Sequence, residues 1–375
     1  MSSAPVHMEI TEFLQEMVRL DASDIYITVG LPPVYRKEGI NTPLNTKNLT
    51  AEDTRMLAGK CMTEKQRKDF YEKMEMNLAL YYPELGRFRV NIFFQQRNIG
   101  IVIRQIKINI QTIDELNLPR IFKDVAMTKR GLVLVVGATG SGKSTTLAAI
   151  IDYRNTNNSG HIITVEDPIE FVHQHKKSII TQREVGLDTL SFGDALKNTL
   201  RQAPDVILVG EIRDTKTMGL AITFAETGHL CLGTLHANNA NQAIERIINF
   251  FPTERHEQMY LLLSLNLRSI ISQRLVPAKD GKRLATFEIL LDTPRIRDLI
   301  LKKQIEGLKE AMSKGTQEGM LTFDQSLFDL CKEGRISYEN ALAYADSAND
   351  VRLRMKAEGI GEVKEDKAAS FTLKQ

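Results

Sequence analysis

The chain contains no tryptophan, and aromatic side chains make up only 6% of its 375 residues. Such scarcity leaves no series of stacking platforms for single-stranded nucleic acid. Its three cysteines, Cys61, Cys231 and Cys331, are far apart and form no C-x-x-C pair. That spacing excludes a zinc module and a disulfide framework and suits a reducing compartment. Charge of one sign is also missing: 49 basic against 47 acidic residues leave a net +2. Without a basic field, no nucleic-acid partner is expected. No stretch approaches the ~18 apolar residues that a membrane helix needs, and MSSAPVHMEI lacks the regions of a signal peptide. The expectation is a soluble cytoplasmic protein.

What is present is ordinary globular material, 42% hydrophobic and 26% charged, long enough for two or three domains. Ile10, Phe13, Leu14, Met17 and Val18 recur at helical spacing. DIYITVG (24–30) and VYRKEG read as strands around a turn, and helices are expected at 50–60 and 63–75, the second opened by the capping pattern T-E-K-Q. MNLALYY, GRFRVNIFFQQ and GIVIRQI then alternate like antiparallel strands. Residues 1–107 thus form a small α+β domain, and 108–113 a linker. From 114 the pattern becomes alternating strand and helix, with strands GLVLVV, HIITVE, SIITQ, DVILVG and HLCLGTLH. This predicts a largely parallel sheet covered by helices, an α/β domain over 114–355. Beyond 253 the pattern is read as mostly helical, and 356–375 as a loose, charged tail.

GLVLVV leads into GATGSGKST at 137–145. Glycines in G-x-x-x-x-G-K-S let backbone N–H groups turn towards an anion, and the following helix adds the positive end of its dipole. Gly137, Thr139, Gly140, Ser141, Gly142, Lys143, Ser144 and Thr145 are therefore the expected phosphate cradle. Lys143 reaches the β/γ-phosphates, and the Ser144 hydroxyl is placed for Mg²⁺. The implied ligands are ATP and Mg²⁺.

Hydrolysis needs a group to orient water and positive charge where negative charge develops. DVILVG runs into Glu211, a carboxylate emerging where a parallel sheet keeps its chemistry. Gly210 stands where an Asp would be expected before it. Arg213 follows closely and is expected to point away, towards an interface. A second acidic run, TVEDPIEF, offers Glu166, Asp167 and Glu170, with Glu166 a second candidate for Mg²⁺; the residues alone fit a solvated loop equally well. His229 and His236 bracket one strand, and His173 and His175 lie in VHQHKK; neither pair has the further ligands that zinc requires. Arg87, Arg89, Arg97 and Arg104 sit in the first domain, where composition alone favours a solvated basic face.

GATGSGKSTTLAAIIDYRN, ITVEDPIEFVHQ, APDVILVGEIRD and AETGHLCLGTLHANNANQAIERI, with RFRVN and TPRIRDLI, together resemble the PilT/PilU family of type IV pilus retraction ATPases. REVGLD and the ending ALAYADSANDVRLRMK look closer to the PilU branch. The resemblance covers about residues 9–355. It implies a PAS-like N-terminal domain, a RecA-like ATPase core and a hexameric ring. Under it, Lys143 and Ser144 are the Walker A pair and Glu211 the catalytic carboxylate of a Walker B box without its Asp. It assigns Glu166, Asp167 and Glu170 to an acidic box, and His229 and His236 to a histidine box near the γ-phosphate or at the subunit interface. Arg89, Arg97 and Arg104 fall in the region supplying arginines to a neighbouring subunit. The implied partners are the inner-membrane platform protein at the pilus base and a sister retraction ATPase. An accessory ring subunit, with little ATPase activity of its own, is the competing reading.

Overall fold

A computed structural model describes residues 9–37, 39–106 and 109–360. The expected tail from 361 onward, and residues 107 and 108 at the expected linker, lie outside the described residues. The chain divides into two compact units. The first runs up to Ile110 and also takes in Asp167–Gln174 and Gln182–Ser191; the second holds the rest. Those two inserted segments have no compositional signature that separates them from the sequence around them.

In the first unit, helix α1 (Ile10–Leu20) buries Ile10, Phe13, Leu14 and Met17, whereas Val18 remains 36% exposed at the margin of that stripe. Strands β1 (Asp24–Ile27), β2 (Val34–Lys37) and β3 (Ile40–Pro43) follow, then helices α2 (Ala51–Cys61) and α3 (Glu64–Lys73). Thr63 and Gln66 close a reciprocal capping box at α3, satisfying donors that its first turn would otherwise leave open. β4 (Glu75–Tyr82), β5 (Gly86–Gln95) and β6 (Asn98–Ile106) complete a six-stranded sheet ordered β3-β2-β1-β6-β5-β4, in which every pairing is antiparallel. β3 was not legible, because INTP is exposed throughout and carries no apolar alternation. β5 has that alternation: Phe88, Val90 and Ile92 are fully buried, while Arg87, Arg89 and Asn91 alternate on its less buried face. β5 and β6 join through Gln96 and Arg97, at φ 46° and 65°. A two-residue hairpin turn of this hand needs positive φ at both positions, at a cost to any side chain larger than Gly or Asn.

The second unit contains α4 (Ile121–Ala126), β7 (Gly131–Val136), α5 (Lys143–Asn157), β8 (Gly160–Glu166), β9 (Ser178–Glu184, which runs into the inserted segment of the first unit), α6 (Phe192–Thr199), β10 (Val206–Val209), α7 (Thr215–Glu226) and β11 (Leu230–Leu235). Its sheet is ordered β13-β12-β7-β11-β10-β8-β9, once α8 (Ala240–Asn249), α9 (His256–Asn266), β12 (Leu267–Pro277) and β13 (Arg283–Leu291) are added. β12, β7, β11, β10 and β8 run parallel, and β13 returns antiparallel to β12. Every residue of β7, β10 and β11 is buried, as expected for parallel strands covered on both faces.

β12 and β13 correct the helical expectation beyond 253. LRSIISQRLVP places Ser, Gln and Arg among its apolar residues and so lacks a clean period of two. Pairing with β7 and β13 buries it anyway, and tertiary context overrides the local pattern. Helices do resume afterwards as α10 (Pro294–Leu301), α11 (Leu308–Lys314), α12 (Phe323–Lys332), α13 (Tyr338–Tyr344) and α14 (Ala348–Ala357).

Candidate nucleotide site

The parallel strands all end on one edge of the sheet, and the loop from β7 to α5 lies there. Gly140 and Gly142 have φ 76° and 90°, in the left-handed region. A Cβ on Gly137 would stand 2.5 Å from the Gln273 carbonyl oxygen, and one on Gly142 2.8 Å from Gln273 Nε2. Both positions therefore require glycine. Lys143 Nζ donates to the carbonyls of Gly137 (2.9 Å) and Ala138 (2.8 Å), so its ammonium is folded over the loop it serves. The Ser141 hydroxyl is buried with no hydrogen-bond partner among the described residues. An orphaned hydroxyl, backbone curled by glycines and a helix N-terminus fit a phosphate. Ser144, on the first turn of α5, and Glu166, ending β8, offer the oxygen ligands that Mg²⁺ prefers.

Glu211 follows β10 on the same edge. His236 Nε2, just past β11, lies 3.0 Å from Glu211 Oε1, and the Arg213 guanidinium donates to Oε2. Arg213 thus folds back onto the carboxylate instead of pointing away. That hydrogen bond, aided by the charges of Arg213, His236 and Lys143, holds the Glu211 carboxyl below the ordinary carboxylate range. The backbone beneath is laced: Ile212 N–H donates to Thr234 O (2.9 Å), and the Thr234 hydroxyl to Gly210 O.

Gly210, the missing Asp, has a steric reason. A Cβ there would meet Glu166 Cα at 3.0 Å and Val165 O at 3.1 Å. Glycine lets β10 end tight against β8, where Val209 pairs with Val165. Glu166 is held by the Thr164 hydroxyl, which donates to Oε1 at 2.6 Å. The acidic run is then divided: Glu166 ends β8 in the second unit, whereas Asp167 and Glu170 belong to a segment of the first.

His229 is not brought to this edge of its own chain. It precedes β11 at the opposite end, with Nδ1 3.0 Å from the Thr227 hydroxyl and 3.2 Å from Phe224 O. At ~3.3 Å per residue, seven residues of strand separate the two histidines by about 23 Å. His173 and His175 lie outside regular strands, and His175 Nδ1 accepts from Ile180 N–H at 3.1 Å. Cys61 and Cys231 are buried, and burial pushes both thiols up to about 12.

The arginines belong to the first unit. Arg89 and Arg104 face each other directly across β5 and β6, a like-charge pair that needs compensation. Arg104 Nε donates to the buried Asp24 at 2.7 Å, and its own side chain stays 64% exposed. Arg87 lies 3.7 Å from Glu184, whose carboxyl burial pushes up while Arg87 and Arg89 pull it down. Arg97 occupies the strained hairpin turn. Sequence reasoning missed Gln273, Thr164 and Thr234 as parts of the site. Gln273 and Thr234 are placed only by the pairing of β12 and β11 to β7, whereas Thr164 stands two residues before Glu166 on one strand face, a spacing that could have found it.

A family model for type II/IV secretion system proteins matches residues 1–320. The chain belongs to that family. Within it, the chain is 56% identical to the type IV pilus ATPase PilU of Pseudomonas aeruginosa, over 93% of this chain and 92% of that one. To PilT, the type IV pilus retraction ATPase of the same organism, it is 46% identical over 89% and 97%. A solved structure of the pilus retraction motor PilT with bound ADP superposes with a TM-score of 0.87 at 42% identity, covering 92% of this chain and all of the other. The chain is a nucleotide-using ATPase of the PilT/PilU group, and its mixed α/β fold is the expected one. Among the described residues no helix is long and apolar enough to cross a membrane.

Proposed function

We propose that this chain is a Mg²⁺-dependent, hexameric motor that hydrolyses ATP to drive type IV pilus retraction. It works with a sister retraction ATPase at the cytoplasmic face of the inner membrane, acting on the platform protein at the pilus base. The observation carrying this reading is the Lys143, Glu211 and His236 cluster on one sheet edge, in a chain aligned with PilU over nearly the full length of both.

Lys143 exchanges its bonds to the loop carbonyls for phosphate oxygens. Glu211, kept ionised by Arg213 and His236, accepts a hydrogen bond from the attacking water and aligns it. The water oxygen bonds to the γ-phosphorus as the bond to the bridging oxygen breaks, giving ADP and phosphate. Mg²⁺, held by Ser144 with Glu166 nearby, would neutralise charge on the β- and γ-oxygens. Positive charge for the transition state comes from a neighbouring subunit, with Arg104, Arg89 and Arg97 the candidates. An arginine acting in trans contributes roughly 10³–10⁵ in rate.

Mixing Arg104→Ala with Glu211→Gln subunits tests the ring. Each variant alone is nearly inactive, but mixed rings contain sites joining an intact Glu211 to a neighbour's intact Arg104. Turnover above the weighted sum of the two, after subunit exchange is verified, supports the motor; turnover never above it removes Arg104 from that role. Mg²⁺-dependent turnover of the unmixed protein separates a motor from an accessory subunit.

A further inference from the structure

The phosphate loop is built against a residue that the chemistry above does not use. Ser272 of β12 pairs with Val136 of β7, so the next residue, Gln273, stands level with Gly137, where the loop begins. Strand alternation sends Ser272 and Arg274 to the other face, where Ser272 donates to Glu288 and Arg274 reaches the Asn238 carbonyl. Gln273 instead turns into the loop and is only 3% exposed. Its Oε1 accepts from the Thr146 hydroxyl of α5 at 2.8 Å, and this is its one side-chain hydrogen bond to a described residue. With Oε1 engaged, Nε2 is aimed at Gly142, 2.8 Å from where a Cβ would stand, while the Gln273 carbonyl crowds Gly137. One residue thus touches the first glycine of the cradle, the last glycine, and the first turn of the helix behind it.

We infer that Gln273 is a positioning residue of the nucleotide site. Its amide clamps α5 through Thr146 and presents a neutral N–H donor beside Gly142, fixing the helix N-terminus that receives the β-phosphate. A buried amide suits this place better than a cation, because it adds donors without a desolvated charge competing with Lys143. A carboxylate of the same shape keeps the acceptor for Thr146 but turns an oxygen towards the phosphate.

The test is titration of the full chain with ADP and with AMP, beside thermal unfolding without nucleotide. AMP lacks the β-phosphate, so a loss confined to ADP separates this role from general packing. For Gln273→Glu, ADP dissociation constants rise about tenfold or more and AMP affinity stays within about twofold. Gln273→Met shifts ADP binding in the same direction by less. Thr146→Val, which keeps shape and loses the hydroxyl, also weakens ADP binding; adding it to Gln273→Met produces no further loss, because both remove one contact. Unchanged ADP affinity in Gln273→Glu, or equal losses of ADP and AMP, overturns the inference. Should the Gln273 variants fail to fold, Thr146→Val decides, and parental ADP affinity there overturns it as well. Lys143→Ala, titrated alongside, tests the loop assignment itself.

Discussion

The two ends of the seven-stranded sheet are made from the same strands yet spend their polar groups differently. At the N-terminal end His229 bonds to Thr227 and the Phe224 carbonyl, the His161 N–H to Asp205, and the Gly131 N–H to the His229 carbonyl, although the Ser269 hydroxyl of β12 is buried there without a partner among the described residues. At the C-terminal end the Ser141 hydroxyl is left over, glycines hold backbone open, and Glu211, His236 and Arg213 crowd together. Glycine appears at both ends, at each where a Cβ would crowd a neighbour, and in the loop it also carries backbone in the left-handed region. A Cβ on Gly131 would strike the Arg268 side chain at 2.5 Å, so there glycine permits packing. In the loop it leaves donors for a ligand. One end is bonded within the chain except at Ser269, and the other presents groups that fit a phosphate.

Substitutions at the two ends should therefore separate function from stability. The largest effect belongs to Glu211→Gln: turnover falls about 10²–10⁴-fold, the span of a positioned acid–base group, with ADP affinity retained. Steady-state turnover near the parental rate would pass the role to another carboxylate, with Glu166 first in line. Lys143→Ala should weaken ADP binding by roughly 10²-fold, the cost of removing one partner of a desolvated charge pair, as read by titration. His236→Ala should lower turnover on the order of tenfold, since Arg213 still holds Glu211; an unchanged pH–rate profile would remove His236 from Glu211's environment. His229→Ala should leave ADP affinity within about twofold. A larger loss would break the contrast between the two ends by making the far end part of the nucleotide site.

The smallest effect sharpens the contrast in the sheet's interior. Glu288 is buried and accepts from Ala240 N–H and the Ser272 hydroxyl through one oxygen, and burial pushes its carboxyl above the usual range. A raised folded-state pKa means that the folded chain holds the proton more tightly. Stability is then full below the unfolded pKa and declines as pH rises through the interval up to the folded value. Glu288→Gln keeps the accepting oxygen and removes that decline. Its melting temperature should gain on the parent by about 2–4 °C between acidic and neutral pH; a gap independent of pH would refute the assignment.

How much of this was legible depended on sequence distance. The candidate cradle from Gly137 to Thr145 is one continuous segment after a continuous apolar strand, so spacing alone pointed to it. Glu211 was visible in the same way, at the end of VILV. That His236 converges on Glu211 was not: it requires β10 and β11 to be neighbours, a relation between residues far apart in the chain. Arg213, two residues beyond Glu211, was in view but expected to point away. β12 failed for the same reason, because Gln273 and Ser272 look misplaced in a strand until β7 and β13 lie on either side. The absent Asp before Glu211 looked like a departure and is a packing solution, readable only once β8 lies against Gly210. Arg104 could be found by residue type, but the carboxylate that holds it, Asp24, lies eighty positions earlier.

The two inserted segments of the first unit carry a consequence for inheritance. The chain passes between its units after residues 110, 166, 174, 181 and 191. A transplantable module enters and leaves once, so recombination or gene fusion can move it by cutting at its borders. This unit has no such borders: a cut at 110 would strand Arg87 without Glu184, its carboxylate partner in the segment 182–191. Exchanging residues 1–110 alone would therefore leave this unit without the two segments, 167–174 and 182–191, that complete it.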